Sequence, residues 1–100
     1  MDFEITWTES ASADLESIVI HLAEASPDAA EKTANAIIKH VEVLRTFPRI
    51  GPCYAKDPRR QTREVLCGKY RIFYRLNEQG KTVEILAVWH GARQEPELPF

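Results

Sequence analysis

At 100 residues, 44% of them hydrophobic and 9% aromatic, the chain can enclose one compact core, which sets the expectation of a single domain over residues 1–100. Its formal net charge is only −2, its longest apolar runs ("IVI", "ILAVW") fall far short of the roughly 20 residues needed to cross a bilayer, and "MDFEITW" carries acids where a secretory leader carries basic residues, so a cytoplasmic location and no membrane partner are expected. Cys53 and Cys67 have neither CxxC spacing nor paired histidines nearby, which argues against a disulfide scaffold or a zinc site, and no metal or cofactor is expected.

Residues 2–7, "DFEITW", alternate Phe3, Ile5 and Trp7 with Asp2, Glu4 and Thr6, the period of a strand with one buried face. In "TESASADLESIVIHLAE" the apolar residues Ala11, Leu15, Ile18, Val19, Leu22 and Ala23 recur at helical spacing, with Thr8 or Ser10 placed to cap the start. A second helix opens at "SPDAAEK": Ser26 caps it, Pro27 suits the first helical position because no N–H is needed there, and Asp28 favours the positive helix end. Ala30, Ala34, Ile37, Ile38, Val41 and Leu44 make its apolar stripe. It is expected to run to about Phe47, before Pro48, with a length of about 30 Å at 1.5 Å per residue. So short a link between the two makes them an antiparallel hairpin.

Residues 48–61, "PRIGPCYAKDPRRQ", hold three prolines and one glycine and no sustained period, a loop long enough to suggest function. "TREVLC", "KYRIFYRLN" and "TVEILAVWH" read as strands, the last two joined by a turn at "EQGK" in which Gly80 supplies backbone freedom. The expected fold is α+β in the order β-α-α-β-β-β, with the helix hairpin packed on one face of a small antiparallel sheet.

If the turn is centred between Gln79 and Gly80, Arg75 faces Glu84, Phe73 faces Leu86, Arg71 faces Val88 and Lys69 faces His90. On the other face Tyr70, Ile72, Tyr74 and Leu76 meet Trp89, Ala87, Ile85 and Val83. A bulge would shift this register. The wholly apolar second set belongs against the helices. The first set then turns outward as an apolar centre of Phe73, Leu86 and Val88 ringed by Lys69, Arg71, Arg75 and His90, the composition of a recognition surface. The alternative is that a chain terminus or the long loop covers Phe73 and Leu86 and leaves the arginines as solvated edges.

Charge divides the chain. Residues 1–31 carry eight acids and no Lys or Arg, whereas residues 45–75 carry nine basic residues against Asp57 and Glu64. Such asymmetry points to an anionic partner, nucleic acid or an acidic peptide, unless acidic helices simply neutralise a basic sheet. The proposed surface suits an amphipathic acidic peptide.

"ITW", "ADLESIVIHLAE", "SPDAAEK", "VEVLRTFPRIG", "REVLCGKYRIFYRL" and "VEILAVWHGAR", in that order, resemble the RelE/ParE superfamily of bacterial toxins over residues 3–93. The specificity lies in the set L-x-x-F-P-x-x-G, G-K-Y-R-I-F-Y-R and H-G-A-R. The resemblance implies a β-α-α-β-β-β fold and one half of a type II toxin–antitoxin module. A small cognate antitoxin wraps and neutralises such a toxin, and DNA is reached only indirectly, through the antitoxin. RelE-like members are ribosome-dependent mRNA endonucleases, whereas ParE-like members poison DNA gyrase without cleaving anything. Fold alone does not separate them.

A nuclease of this kind needs a general base, cationic donors and a general acid. Arg63, Lys69, Arg71 and Arg75 suit phosphate charge, His90 is of the residue type that serves as acid or base, and Glu64 or Glu84 suits the base, so the catalytic candidates would be Arg63, Lys69, Arg71 and His90. His90 reads equally as a strand-terminal packing residue, and His21 and His40 as surface residues. The RelE-like branch usually places a Tyr, or a His-Tyr pair, shortly after the last strand. Here Gly91, Ala92 and Arg93 follow His90, and no Tyr follows Tyr74. The expectation is therefore a ParE-like toxin, with no catalytic residue, that binds gyrase and antitoxin through Lys69, Arg71, Phe73, Arg75, Leu86, Val88 and Arg93. The alternative is a RelE-like endonuclease whose partners are the ribosome and mRNA. For the tail "QEPELPF" two arrangements stay open, Leu98 and Phe100 docked on the body or a mobile segment.

Overall fold

A computed structural model describes residues 2–91, so Arg93 and the tail carrying Leu98 and Phe100 lie outside the described residues. Its elements are β1 (Glu4–Trp7), α1 (Glu9–Ala25), α2 (Pro27–Val43), β2 (Thr62–Cys67), β3 (Tyr70–Asn77) and β4 (Thr82–His90). The order is the expected β-α-α-β-β-β, with the helix hairpin on one face. The sheet, however, is mixed rather than antiparallel: its strand order is β1-β4-β3-β2, and β1 runs parallel to β4. Two helices and a strand pair separate these two in the chain, and a crossover of that length permits parallel return. No helix among the described residues is long and apolar enough to cross a membrane.

Local chemistry explains the joints. The Thr8 hydroxyl accepts the Ala11 N–H at 3.1 Å, capping α1, and donates to the Ile85 carbonyl at 2.8 Å, tying that cap to β4. Pairing of β1 stops at Trp7 opposite Ile85. Beyond it, the Asp14 carboxylate on α1 accepts the Val88 N–H at 3.0 Å, so a helix side chain completes the strand edge. Burial pushes the Asp14 pKa up, against the pull of that hydrogen bond. Ser26 is the whole link between the helices. Its N–H closes α1 onto the Leu22 carbonyl at 2.9 Å, and its Oγ accepts the Ala29 N–H at 3.2 Å to open α2 at Pro27.

α2 stops at Val43, short of the expected Phe47, and its 17 residues span about 26 Å. The N–H groups of Leu44 and Arg45 bond carbonyls three residues back, at 3.0 and 3.1 Å, which tightens the chain out of the helix before Pro48 is reached. That turn buries Leu44 and aims the Arg45 carbonyl at the Phe3 N–H, 2.9 Å away.

The main core lies between helices and sheet and contains Ala11, Ile37, Val41, Leu44, Cys67, Ile72, Tyr74, Val83, Ile85 and Val88. Tyr70 and Leu76 pack against it, so the inward set of β3 is as expected. The register is not. Asn77, Leu76, Arg75 and Tyr74 pair with Thr82, Val83, Glu84 and Ile85 as the turn predicts, but a bulge between Phe73 and Tyr74 shifts the rest. Phe73 pairs with Ala87, Ile72 with Val88, Arg71 with Trp89 and Tyr70 with His90. Leu86 is the extra residue, and every partner beyond it changes face. The turn differs too. Positive φ falls on Lys81 (53°) and not on Gly80, whose N–H donates to Asn77 Oδ1 at 3.0 Å.

Tyr74 ties the long loop to the core. Its fully buried hydroxyl donates to the Pro48 carbonyl at 2.7 Å and accepts the Gly51 N–H at 3.1 Å. Gly51 is obligatory here, because a Cβ would meet the Glu64 carbonyl oxygen at 2.6 Å. Tyr74→Phe leaves a buried donor and acceptor unpaired, and a loss of about 1–3 kcal/mol is expected. Urea unfolding should show a lower midpoint with an unchanged slope. An unchanged midpoint would show that the loop does not depend on this hydroxyl.

Candidate functional site

The predicted recognition surface is not open. Phe73 does turn away from the helices, but it is 0% exposed and Leu86 only 3%, because Tyr54 of the long loop lies across them. The rings of Tyr54 and Phe73 meet edge to face, with centroids 5.0 Å apart. With Ala87 and the half-buried Trp89 they form a second, smaller core. Val88, also assigned to that surface, packs on the helix side as a consequence of the bulge. Phe73, Leu86 and Val88 are therefore packing residues in this structure. The covering loop was one of the two arrangements the sequence allowed, and its tyrosine gave no periodic signal.

The cations of the surface are engaged with neighbours. The Arg71 guanidinium sits 5.0 Å from the Phe73 ring centroid, and its Nε donates to the Glu64 carboxylate. Arg75 bonds Glu84 at 3.3 Å. Both carboxylates suited to act as a general base are thus held in ion pairs. Arg63 goes elsewhere: one terminal nitrogen donates to the carbonyls of Gly51 at 2.7 Å and Arg49 at 3.2 Å, a structural task in the loop.

Three candidates do come together. Lys69, Arg71 and His90 line an open cavity of about 710 Å3 with Leu66, Gly68 and Gly91. The tight β2–β3 turn builds it. Gly68 takes φ of 57°, and the Gly91 N–H donates to the Lys69 carbonyl at 2.7 Å, holding the end of β4 beside the turn. His90 meets Tyr70 edge to face at 5.4 Å. Such a cationic hollow can hold an anion. Among the described residues no group of three or more His, Cys, Asp or Glu is placed to hold a metal.

Sequence reasoning missed a groove on the β2 side. His40, Val43 and Leu44 of the α2 end, Ile50, Gly51 and Pro52 of the loop, and Glu64, Val65 and Leu66 of β2 enclose about 540 Å3. Its rim leaves Ile50 61% and Leu66 65% exposed. β2 is an edge strand. The loop pairs with its first half, through the Tyr54 N–H on the Thr62 carbonyl and the Glu64 N–H on the Pro52 carbonyl. Leu66, two residues beyond Glu64, turns its main chain to that same side. The signal available in sequence was the cluster of apolar residues in "FPRI", which a loop has no need to carry.

Residues 5–95 match the model of a family described as ParE toxin of the type II toxin–antitoxin system parDE. Among solved structures, a chain of the chromosomal ParDE toxin–antitoxin system of P. aeruginosa superposes with a TM-score of 0.74 at 24% identity, covering 88% of this chain and 95% of that one. A RelBE toxin–antitoxin complex of Mycobacterium tuberculosis gives 0.69 at 23% identity, over 90% and 99% of the two chains. A double mutant of the E. coli toxin RelE in the free state gives 0.67 at 15%, over 92% and 86%. These structures share the fold. No curated protein matches by sequence.

The covering loop is pinned by Asp57, which is 2% exposed and accepts the N–H groups of Arg59, Gln61 and Thr62 at 2.9, 3.0 and 2.8 Å. Burial acts to raise its pKa, but hydrogen bonds from Thr62, Arg59 and Gln61 outweigh it and hold the carboxyl below its ordinary value. A depressed carboxylate lends stability that is complete above its unfolded pKa of 3.8 and is lost as pH falls through the lower folded value. Asp57→Asn should therefore lower the urea midpoint at neutral pH and flatten its decline below about pH 4. Tyr54→Ala should cost about 3 kcal/mol and raise the fluorescence of a hydrophobic dye by opening the Phe73 cluster. Unaltered dye binding would mean that Tyr54 is not the cover.

Proposed function

The chain belongs to the ParE toxin family of type II toxin–antitoxin systems, and from that premise we propose that it is a single-domain cytoplasmic toxin that arrests growth by binding DNA gyrase. A cognate antitoxin silences it. The observation that carries the reading is the state of the carboxylates: Glu64 is paired with Arg71 and Glu84 with Arg75. A carboxylate turned onto a neighbouring guanidinium is not presented to a substrate hydroxyl. The absence of any Tyr after Tyr74 supports the same side.

The gyrase-facing surface in this proposal is the cationic rim of Lys69, Arg71 and Arg75, with Arg93 from the adjoining segment. The antitoxin occupies the apolar groove of Val43, Ile50 and Leu66, whose area and edge strand suit an amphipathic segment laid beside β2. One observation favours the second reading, a RelE-like mRNA endonuclease: Lys69, Arg71 and His90 share one cavity.

In a supercoiling assay the purified toxin is expected to inhibit gyrase, and in a translation-coupled assay to leave mRNA intact. Cleavage that disappears in His90→Ala would reverse the assignment. Ile50→Glu combined with Leu66→Glu should weaken the antitoxin complex more than tenfold by calorimetry while gyrase inhibition persists. Equal affinity would place the antitoxin on another face.

A further inference from the structure

The loop that covers the sheet also carries a built cationic tip. Between Arg49 and Arg63 the sequence has one carboxylate, Asp57. That group is turned inward and spent on three backbone N–H groups. The backbone around it is closed further by the Asp57 N–H on the Tyr54 carbonyl and the Arg60 N–H on the Asp57 carbonyl, both at 3.1 Å. Lys56, Pro58, Arg59 and Arg60 are left exposed on the outside. Arg60 has φ of 55°, a left-handed conformation that an arginine adopts only where its surroundings impose it. Three exposed cations are therefore carried on a tip whose main chain is held by these hydrogen bonds, with the Asp57 carboxylate buried beneath it.

Which partner fits such a tip? A peptide partner needs apolar anchors as well as charge. Among the described residues the exposed large hydrophobics are Ile20, Ile38, Val43, Phe47, Ile50 and Leu66, and none belongs to residues 53–61. A phosphate backbone asks only for correctly spaced Lys and Arg, and guanidinium groups match its oxygens. The tip also stands apart from the Lys69–Arg71–His90 cavity. It joins β2 at Thr62, which pairs with Arg75, whereas the cavity begins at Arg71, four residues and about 13 Å further along β3 at ~3.3 Å per residue.

We infer that Lys56, Arg59 and Arg60 form a nonspecific binding site for the phosphate backbone of duplex DNA, so that the toxin touches DNA itself and not only through its antitoxin. The contact does not depend on the identity of the target. Its use does rest on the gyrase reading: on an enzyme already holding duplex DNA, the tip adds a second point of attachment.

The test is fluorescence anisotropy of a labelled duplex of about 20 base pairs with the full chain, without gyrase or antitoxin, over a series of salt concentrations. With three phosphates neutralised, the logarithm of affinity should fall against that of salt with a slope of about −2.7. The variant Lys56→Gln/Arg59→Gln/Arg60→Gln should lose at least about tenfold in affinity at ~50 mM salt and most of that slope. Lys32→Gln, an exposed lysine on α2, should behave as the unaltered chain, and circular dichroism should show the triple variant folded. The inference is overturned if the unaltered chain does not bind the duplex, or if the triple variant binds as well. It is likewise overturned if a poly-glutamate peptide or single-stranded RNA of similar charge binds more tightly than the duplex. Because gyrase is absent, the outcome is separate from that of the supercoiling assay.

Discussion

The buried hydroxyl of Tyr74, bonded at once to the Pro48 carbonyl and the Gly51 N–H, sets the course of the chain between the second helix and the sheet. It catches the loop at its start. Arg63 then grips the carbonyls of Arg49 and Gly51 from β2. With those points held, Ile50 is left standing at the rim of the groove, and the chain runs on along the edge strand until Tyr54 reaches over Phe73. Asp57 closes the return. Each feature that could meet a partner on this side, whether groove, cover or cationic tip, takes its position from that one buried contact and the two that follow it.

The loop and the bulge together change what the sheet is. A sheet with helices on one face ordinarily turns its other face to water. Here Ile72, Phe73 and Tyr74 are buried in succession, as are Ile85 through Val88. The outer face has acquired a small core of its own. The arginines beside it are drawn into pairs with Glu64 and Glu84, both from the sheet, and Arg45 and Arg49 pair with Glu42 and Glu78. None of these partners comes from the acidic first third of the chain, so these pairs leave its overall charge asymmetry in place. An acidic helix side and a basic loop side give the molecule a direction in which an anionic partner approaches.

Glu64 and Glu84 are held in ion pairs, and Lys69, Arg71 and His90 line one hollow while Lys56, Arg59 and Arg60 sit on the covering loop. The most exposed large apolar residues among those described, Ile50 and Leu66, line an edge-strand groove. The proposed attachment to gyrase and antitoxin rests on these surfaces.

The sequence by itself determined the elements and their direction. Thr8, Ser26 and Pro27 marked helix starts through groups that act within three or four residues. The alternation in "TREVLC", "YRIFYRLN" and "TVEILAVWH" gave strand limits and the inward face of Tyr70, Ile72 and Tyr74. These are local matters of cap geometry and side-chain period, and they are legible because cause and effect lie close together in the chain. What covers Phe73 is not local. It depends on Tyr54, nineteen positions earlier in a loop without a period, and on a bulge at Leu86 that local alternation does not reveal. The same holds for Asp57, which reads as an ordinary surface acid until folding brings three backbone N–H groups around it. Tertiary structure alone decided those points, because a buried surface is defined by what comes to lie upon it.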